Sequence, residues 1–423
     1  MFSADNWLLF STVAASLATT FAVIISDDFR NFAKKCIESK IFLYVFLFAL
    51  GLIIVGFGFV WGRFPHILDE AFGQKWPPKR GVLSHVEREE ELVCGVNGFL
   101  DGFSSQPPNS SMQGLDADFC RAVSIAIFGT DDKVKFVNLT DEERLEAVRK
   151  GSREEGGVDV LFRNTSWTAG RDISPRINFG PPIFYDEQAI MVPSGSGIAS
   201  VSDLADKKVC VLKDTTSKEN IQNFLAHKNI SARVVTERAE NVAFEDNQQV
   251  IQTYANQGSN VCDAVTSDLS QLKVWKNNPQ NAGSAHNILE GLDISAELLS
   301  PVFVSNDEQW QSIINYVVYA VVRAAELGIT RNDVADYQDS GNLLITSFLG
   351  LDDDRIATYI GESLGIQRDF AYQIVESLGN YDEIYERNLG KLIPDRGKNQ
   401  LIQNGGVLIS PPFTAILDQS DQA

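Results

Sequence analysis

Apolar positions fall along this chain in two regimes. Near the start they form two unbroken stretches, Trp7 to Ile25 and Ile41 to Trp61. From Glu91 onward they shorten into strand-like runs that alternate with segments of helical spacing. Leu92 to Val96 predicts a short buried strand, and Leu115 to Phe128 predicts a helix. Thr140 and Glu143 form a capping box ahead of Leu145 and Val148, so a helix is expected there. Val158 to Phe162, Val209 to Leu212 and the centre Ala264-Val265 predict further strands. Such alternation argues for an α/β protein with parallel sheets covered by helices. The last 115 residues read mainly as helices: Trp310 to Leu327, Ile356 to Leu364 and Phe370 to Leu378. No internal repeat is visible.

The second apolar stretch is long enough for a bilayer, since about 20 residues rising about 1.5 Å each span a core of about 30 Å. The first carries Ser11, Thr12, Ser16, Thr19 and Thr20 and no basic leader; it is expected as a second span, with a cleaved leader as the competing reading. Residues 1–64 therefore read as a membrane anchor. Residues 65–90, with Pro65, Pro77, Pro78 and the polar run HVEREEE, read as a tether. Arg30, Lys34, Lys35 and Lys40 lie between the spans and Arg63, Lys75, Lys79 and Arg80 follow them, so basic residues alone leave the orientation open.

The formal net charge of -20 over 423 residues, with no long Lys/Arg run, argues against nucleic acid as a partner. Of five cysteines, Cys36 sits between the apolar stretches and four remain. Four allow three pairings. Cys94 and Cys120 share one strand-helix unit, and Cys210 and Cys262 lie on two strand-like runs of another, which predicts 94 with 120 and 210 with 262. Bonds of that kind place the domain in an oxidising compartment; reduced, buried thiols are the alternative.

Phosphate-binding glycine loops, HExxH, CxxC and GxSxG are all absent, and the four histidines have no metal-ligand spacing, so no cofactor or metal is expected. The densest chemistry is RNTSWTAGR, Arg163 to Arg171, after a predicted strand. Its Asn164, Ser166, Thr168 and Arg171 crowd a strand exit with donors suited to a carboxylate, and Arg171 can grip one through two parallel N–H bonds. Helix capping is the plainer reading. Asp214-Thr215-Thr216-Ser217 follows another strand with exposed backbone N–H groups. Asp268, at the end of CDAVTSD, either accepts an ammonium or caps the next helix. An arginine and an aspartate on opposite lobes match the two charges of an amino-acid zwitterion. Phe99, Leu100 and Phe103 either wall a side-chain pocket or belong to the core.

Over roughly residues 91 to 413 these segments resemble the substrate-binding proteins of general L-amino-acid ABC transporters, within solute-binding protein family 3. The stretches that carry the resemblance are VCGVNGFLDGFSS, GLDADFCRAVSIAIFG, VDVLFRNTSWTAGRD, KVCVLKDTTS, CDAVTSDLSQL, GNYDEIYERNLG and GGVLISPPF. The resemblance implies a two-lobed periplasmic binding protein type II fold, the Venus flytrap, closing on its ligand, with 91–192 as lobe 1, 193–295 as lobe 2, and 296–423 returning to lobe 1 before a helical extension. It implies a carboxylate clamp at Arg171 with Ser166 and Thr216, an ammonium acceptor at Asp268, and cleft-lining positions at Asn164, Thr215 and Leu100. Leu100 stands where basic-amino-acid binders carry a tyrosine, and Asp141 falls near the position of the opposing aromatic, which implies broad specificity. The cysteine pairs agree with the family's own.

Expected, then, is extracytoplasmic capture of an L-amino acid for an ABC permease, without chemistry. An amino-acid sensory receptor is the alternative, and a lyase on the same scaffold a third. The lyase needs a carboxylate of raised pKa, for which Asp186 and Glu187 near the lobe crossover are the candidates.

Overall fold

The structure is a computed structural model, and it describes residues 81–413 apart from 240, 241, 245, 258–260, 282–284, 339 and 352–358. Both apolar N-terminal stretches lie outside the described residues. Among the described residues no helix is long and apolar enough to cross a membrane.

Eleven strands carry the fold among the described residues: β1 (Leu92–Val96), β2 (Val134–Asn138), β3 (Val160–Leu161), β4 (Ile177–Phe179), β5 (Phe184–Pro193), β6 (Lys208–Cys210), β7 (Arg233–Val235), β8 (Ala264–Asp268), β9 (His286–Leu289), β10 (Ala296–Leu299) and β11 (Val302–Val304). The helices used below are α1 (Val82–Glu89), α2 (Leu115–Phe128), α3 (Arg144–Lys150), α4 (Ala169–Asp172), α5 (Thr216–His227), α6 (Asn247–Gln257), α7 (Leu269–Asn277), α8 (Glu308–Glu326), α9 (Phe370–Leu378) and α10 (Tyr381–Leu389).

The strands build two sheets, hence two lobes. Lobe 1 has the order β2-β1-β3-β11-β4, and lobe 2 the order β9-β5-β8-β6-β7, with β10 also on β5. The predicted parallel pairs are present, β1 with β2 and β3, and β6 with β7 and β8. The antiparallel pairs come from strands at or next to the crossing between lobes. β5 meets β10 at residues 184–187 and β8 at 188–191, so a single strand runs from the hinge into the second sheet and the 192/193 junction lies at its end.

Strands buried on both faces explain the near-continuous apolar runs in the sequence. One core of lobe 1 gathers Val96, Phe119, Phe162, Trp310 and Tyr385 between the sheet and α2, α8, α9 and α10, and a smaller one under α3 holds Val148, Leu161 and Val302. Lobe 2 has a core on each face of its sheet, one around Cys210, Tyr254 and Leu272, the other around Ile190, Val211 and Ile221. Both expected disulfides are formed, Cys94–Cys120 joining β1 to α2 and Cys210–Cys262 joining β6 to the approach to β8.

The tether expected over 65–90 is, in its last part, a helix. In α1, Leu83 and Val86 are fully buried, and Val82 N donates to Asp307 Oδ2 at 2.7 Å. Two apolar residues three apart are enough to dock so short a helix, and the surrounding HVEREEE charges mask them in the sequence.

The C-terminal segment straps the crossing. Asn399 accepts from Tyr185 N at 2.6 Å and donates to Tyr185 O at 2.9 Å, closing the edge of β5 as another strand would. Lobe-to-lobe contacts include Asn278 Nδ2 to Asp101 Oδ2 at 3.0 Å and Lys213 to Glu142 at 3.5 Å.

Candidate functional site

The strand exits singled out from the sequence are divided between the two lobes. After β3, Arg163 turns inward and is 2% exposed. Its Nε donates to Leu139 O at 2.7 Å, and its two terminal nitrogens reach both oxygens of Asp141 at 3.1 and 3.3 Å. Arg144 reaches Asp141 at 2.9 Å. Burial would raise the Asp141 carboxyl, but the two guanidiniums bring it down to about 2. Burial lowers Arg144 to about 9 in spite of Asp141. This triad fixes the root of the RNTSWTAGR loop.

Asn164 then takes a left-handed conformation, φ 33°, which asparagine tolerates better than most residues. Its N–H donates to Asp116 Oδ2 at 3.3 Å, and burial pushes Asp116 up to about 7. Ser166, buried, bridges to Leu299 beside the hinge. Thr168 caps α4: its Oγ1 accepts from Arg171 N at 3.3 Å, so at this position the plainer capping reading holds.

Arg171 is half-buried and donates through Nη1 to Ser166 O at 2.9 Å. No ion pair engages it among the described residues. Burial lowers its pKa, opposed by the fields of Glu297, Asp141 and Asp268. An arginine of lobe 1 thus lies within electrostatic reach of the two carboxylates that lobe 2 and the hinge supply.

On the lobe 2 side, Asp268 ends β8 and is 7% exposed. Its side chain does not cap α7; instead Oδ2 accepts from Gln271 Nε2 at 2.7 Å. Burial raises its pKa well above the ordinary value, reinforced by Asp186 and Glu297. Thr215 and Thr216 are half-buried at the start of α5. Thr215 Oγ1 donates to Leu212 O at 2.9 Å and leaves the helix N–H groups uncapped by its side chain. Leu100 borders a cavity of about 40 Å³ together with Gln271 and Trp275 of lobe 2. Phe103 is core, 1% exposed, whereas Phe99 is 65% exposed.

Asn164, Ser166, Thr168 and Arg171 accordingly follow β3 on lobe 1, Thr215, Thr216 and Asp268 stand at the starts of α5 and α7 on lobe 2, and Leu100 lies on a hairpin that pairs Phe99–Leu100 with Ser104–Ser105. Sequence reading missed Arg144, Gln188, Gln271 and Glu297. One signal for the hinge group was available: in FYDEQAIMVP, Asp186 and Gln188 are polar at alternate positions of a strand otherwise turning apolar, which marks a single face. Glu187, the other hinge carboxylate, accepts from Gly291 N at 3.1 Å and remains half-exposed. Among the described residues no group of His, Cys, Asp and Glu is arranged to hold a metal.

Residues 92–329 match the model of the bacterial extracellular solute-binding proteins, family 3. The chain is 35% identical over 337 residues to the General L-amino acid-binding periplasmic protein AapJ of Rhizobium johnstonii, covering 78% of this chain and 92% of that protein. It is 34% identical over 336 residues to the Glutamate/glutamine/aspartate/asparagine-binding protein BztA of Rhodobacter capsulatus, covering 78% and 93%. Among solved structures, a periplasmic binding protein of an ABC transporter from Brucella ovis with glutathione bound superposes with TM-score 0.71 at 34% identity, over 78% of this chain and 98% of that one.

Proposed function

The chain belongs to the bacterial extracellular solute-binding proteins, family 3, and from that premise we propose that it captures L-amino acids outside the cytoplasm and delivers them to ABC transporter permease subunits. The family consists of substrate-binding proteins, not enzymes. The relatives' periplasmic placement supports a periplasmic binding domain, and the two disulfides suit that oxidising compartment. In this reading the apolar stretches Trp7 to Ile25 and Ile41 to Trp61 hold the domain at the inner membrane, with the basic loop around Arg30 to Lys40 on the cytoplasmic side.

The observation that supports the reading is that the field of Asp268 on lobe 2 reaches Arg171 on lobe 1. One is a lobe 1 guanidinium with a single protein hydrogen bond, the other a buried lobe 2 carboxyl whose field opposes the effect of burial on that guanidinium. A zwitterion between them presents its carboxylate to Arg171, with Ser166 and the N–H groups around Thr215 and Thr216 in support, and its ammonium to Asp268. Closure then buries both charges together, which is favourable only when each has its partner. Asn164, Thr168 and Leu100 shape the rest of the cleft. The ligand leaves as it arrived: no nucleophile or metal is assigned a role.

The test is calorimetric titration of the detergent-solubilised full chain with the twenty L-amino acids. Several should bind, and Arg171→Ala should weaken each at least 100-fold, about 2.7 kcal/mol. Unchanged affinity in Arg171→Ala would remove the clamp from this residue.

A further inference from the structure

Three carboxyl groups come together at the hinge by strand pairing, although their residues are far apart in the chain. Asp186 of β5 is the register partner of Glu297 of β10, and Gln188 of β5 is the partner of Asp268 of β8. Residues two apart on a strand share a face. Asp186, Gln188, Glu297 and Asp268 therefore occupy one face where the lobes join. All are buried, at 8%, 1%, 2% and 7% exposure.

Their hydrogen-bond donors are all neutral. Asp186 accepts from Glu187 N at 2.9 Å and Ser270 N at 3.2 Å; Glu297 accepts from Asn220 Nδ2 at 3.1 Å and Ser295 Oγ at 2.6 Å; Asp268 accepts from Gln271. No ion pair reaches any of the three among the described residues. Gln188 donates to Ser217 O and Thr266 Oγ1, which leaves its buried Oε1 as one more acceptor without a partner.

The charged groups around the cluster do not balance it. From lobe 1, Arg171, Arg144 and Asp141 act on Asp268, and Arg144 is already paired with Asp141. Behind the hinge Asp186 borders a cavity of about 240 Å³ whose charged lining is Glu187, Lys273, Glu290, Asp395, Arg396 and Lys398. There Lys273 is paired with Glu290 at 2.9 Å and Arg396 with Asp382 at 2.6 Å; the phenol of Tyr385 also feels Asp186. A buried carboxyl in the field of a second one resists ionisation, which applies to Asp268 beside Asp186. Burial pushes Asp186 up to about 7, and Asp268 is raised by burial, Asp186 and Glu297.

We propose that Asp186 and Glu297 are positioning residues for the ligand's ammonium: Asp186 and Asp268 share a proton in the ligand-free protein beside the Glu297 side chain, and an entering ammonium displaces it to solvent. The step breaks one carboxyl O–H bond and hands the proton to water or buffer; the ammonium keeps its own three protons and supplies three donors to the acceptors it meets. The inference rests on the reading of Asp268 as the ammonium acceptor. It makes capture proton-coupled, so mild acid favours release.

The experiment is titration of the full chain with neutral L-amino acids, L-glutamine and L-alanine among them, whose own groups do not titrate between pH 5 and 8. Each titration is run at several pH values and in buffers of different ionisation enthalpy. The expected result is release of close to one proton per ligand below neutral pH, with Kd falling about tenfold per pH unit there and levelling above the cluster's range. Asp186→Asn and, separately, Glu297→Gln should each flatten that profile and cut proton release while binding persists. A merely structural role would weaken binding equally at every pH and leave the profile's shape intact. Binding with no proton release and a flat profile in the unsubstituted chain overturns the inference alone; failure of every one of the twenty L-amino acids to bind overturns the capture reading beneath it.

Discussion

Replacing Asp141 by Asn tests whether the charge triad at the root of the binding loop is as dry as its geometry implies. Asp141 holds Arg163 through two bonds of 3.1 and 3.3 Å and Arg144 through one of 2.9 Å, and the two arginine side chains are only 1% and 5% exposed. Asparagine preserves the shape and one acceptor oxygen, so no cavity opens. What goes is the one carboxylate that, among the described residues, forms ion pairs with both buried guanidiniums. Breaking a buried ion pair by removing one partner typically costs about 3 to 5 kcal/mol, because the remaining charge stays desolvated. Arg163 keeps its 2.7 Å bond to Leu139 O, which argues for the lower half of that range. The neighbouring Glu142→Gln is the control: Glu142 is 67% exposed and its 3.5 Å pair with Lys213 should contribute less than about 1 kcal/mol. Urea unfolding followed by tryptophan fluorescence compares the two, since Trp310 lies fully buried in the same lobe. A loss below about 1 kcal/mol for Asp141→Asn would mean that water or another group already neutralises these arginines, and the account of the triad would fall.

The two disulfides close sequence separations of 26 and 52 residues; in the chain-entropy picture Cys94→Ser with Cys120→Ser should cost about 3.5 kcal/mol and Cys210→Ser with Cys262→Ser about 4 kcal/mol, read by denaturation of each double variant, and losses below about 1 kcal/mol would contradict it. The pH dependence of stability should run opposite to that of binding. Burial raises Asp116 and Asp186 from 3.8 to about 7, so the stability each contributes is fully present below the unfolded value and is lost as pH rises through 7. The melting temperature of the ligand-free chain should therefore increase as pH falls from 8 toward 5. Below about 4 the trend reverses, because Asp141, lowered to about 2, loses its ion pairs on protonation. Calorimetry across that range checks the sign, and a maximum at pH 8 would contradict it.

What could be read from the sequence was local. β1, α2 and α9 follow from short windows of apolar spacing, and their limits, Leu92–Val96, Leu115–Phe128 and Phe370–Leu378, coincide with the expected ones. The cysteine pairing followed from placing each pair in one strand-helix neighbourhood. Arg171 and Asp268 stood out because a strand exit is itself a local pattern: an apolar run that ends abruptly in donors or in a carboxylate. α1 was hidden for the opposite reason, three apolar residues among seven polar neighbours giving no periodic signal although Leu83 and Val86 are fully buried. The hinge cluster was hidden by topology. Glu297 sits in the unremarkable run Ala296–Leu299, and nothing in that run announces antiparallel pairing with Phe184 to Glu187. Asp186 could be named as a crossover carboxylate, but its chemistry changes once the register sets Glu297 beside it and Asp268 beside Gln188. An isolated aspartate in a hinge is a solvated charge, whereas Asp186 shares one buried face with Glu297 and Asp268. The site's acid-base behaviour therefore belongs to the strand register, so a slip of one residue between β5 and β10 would turn Glu297 to the other face and dissolve it.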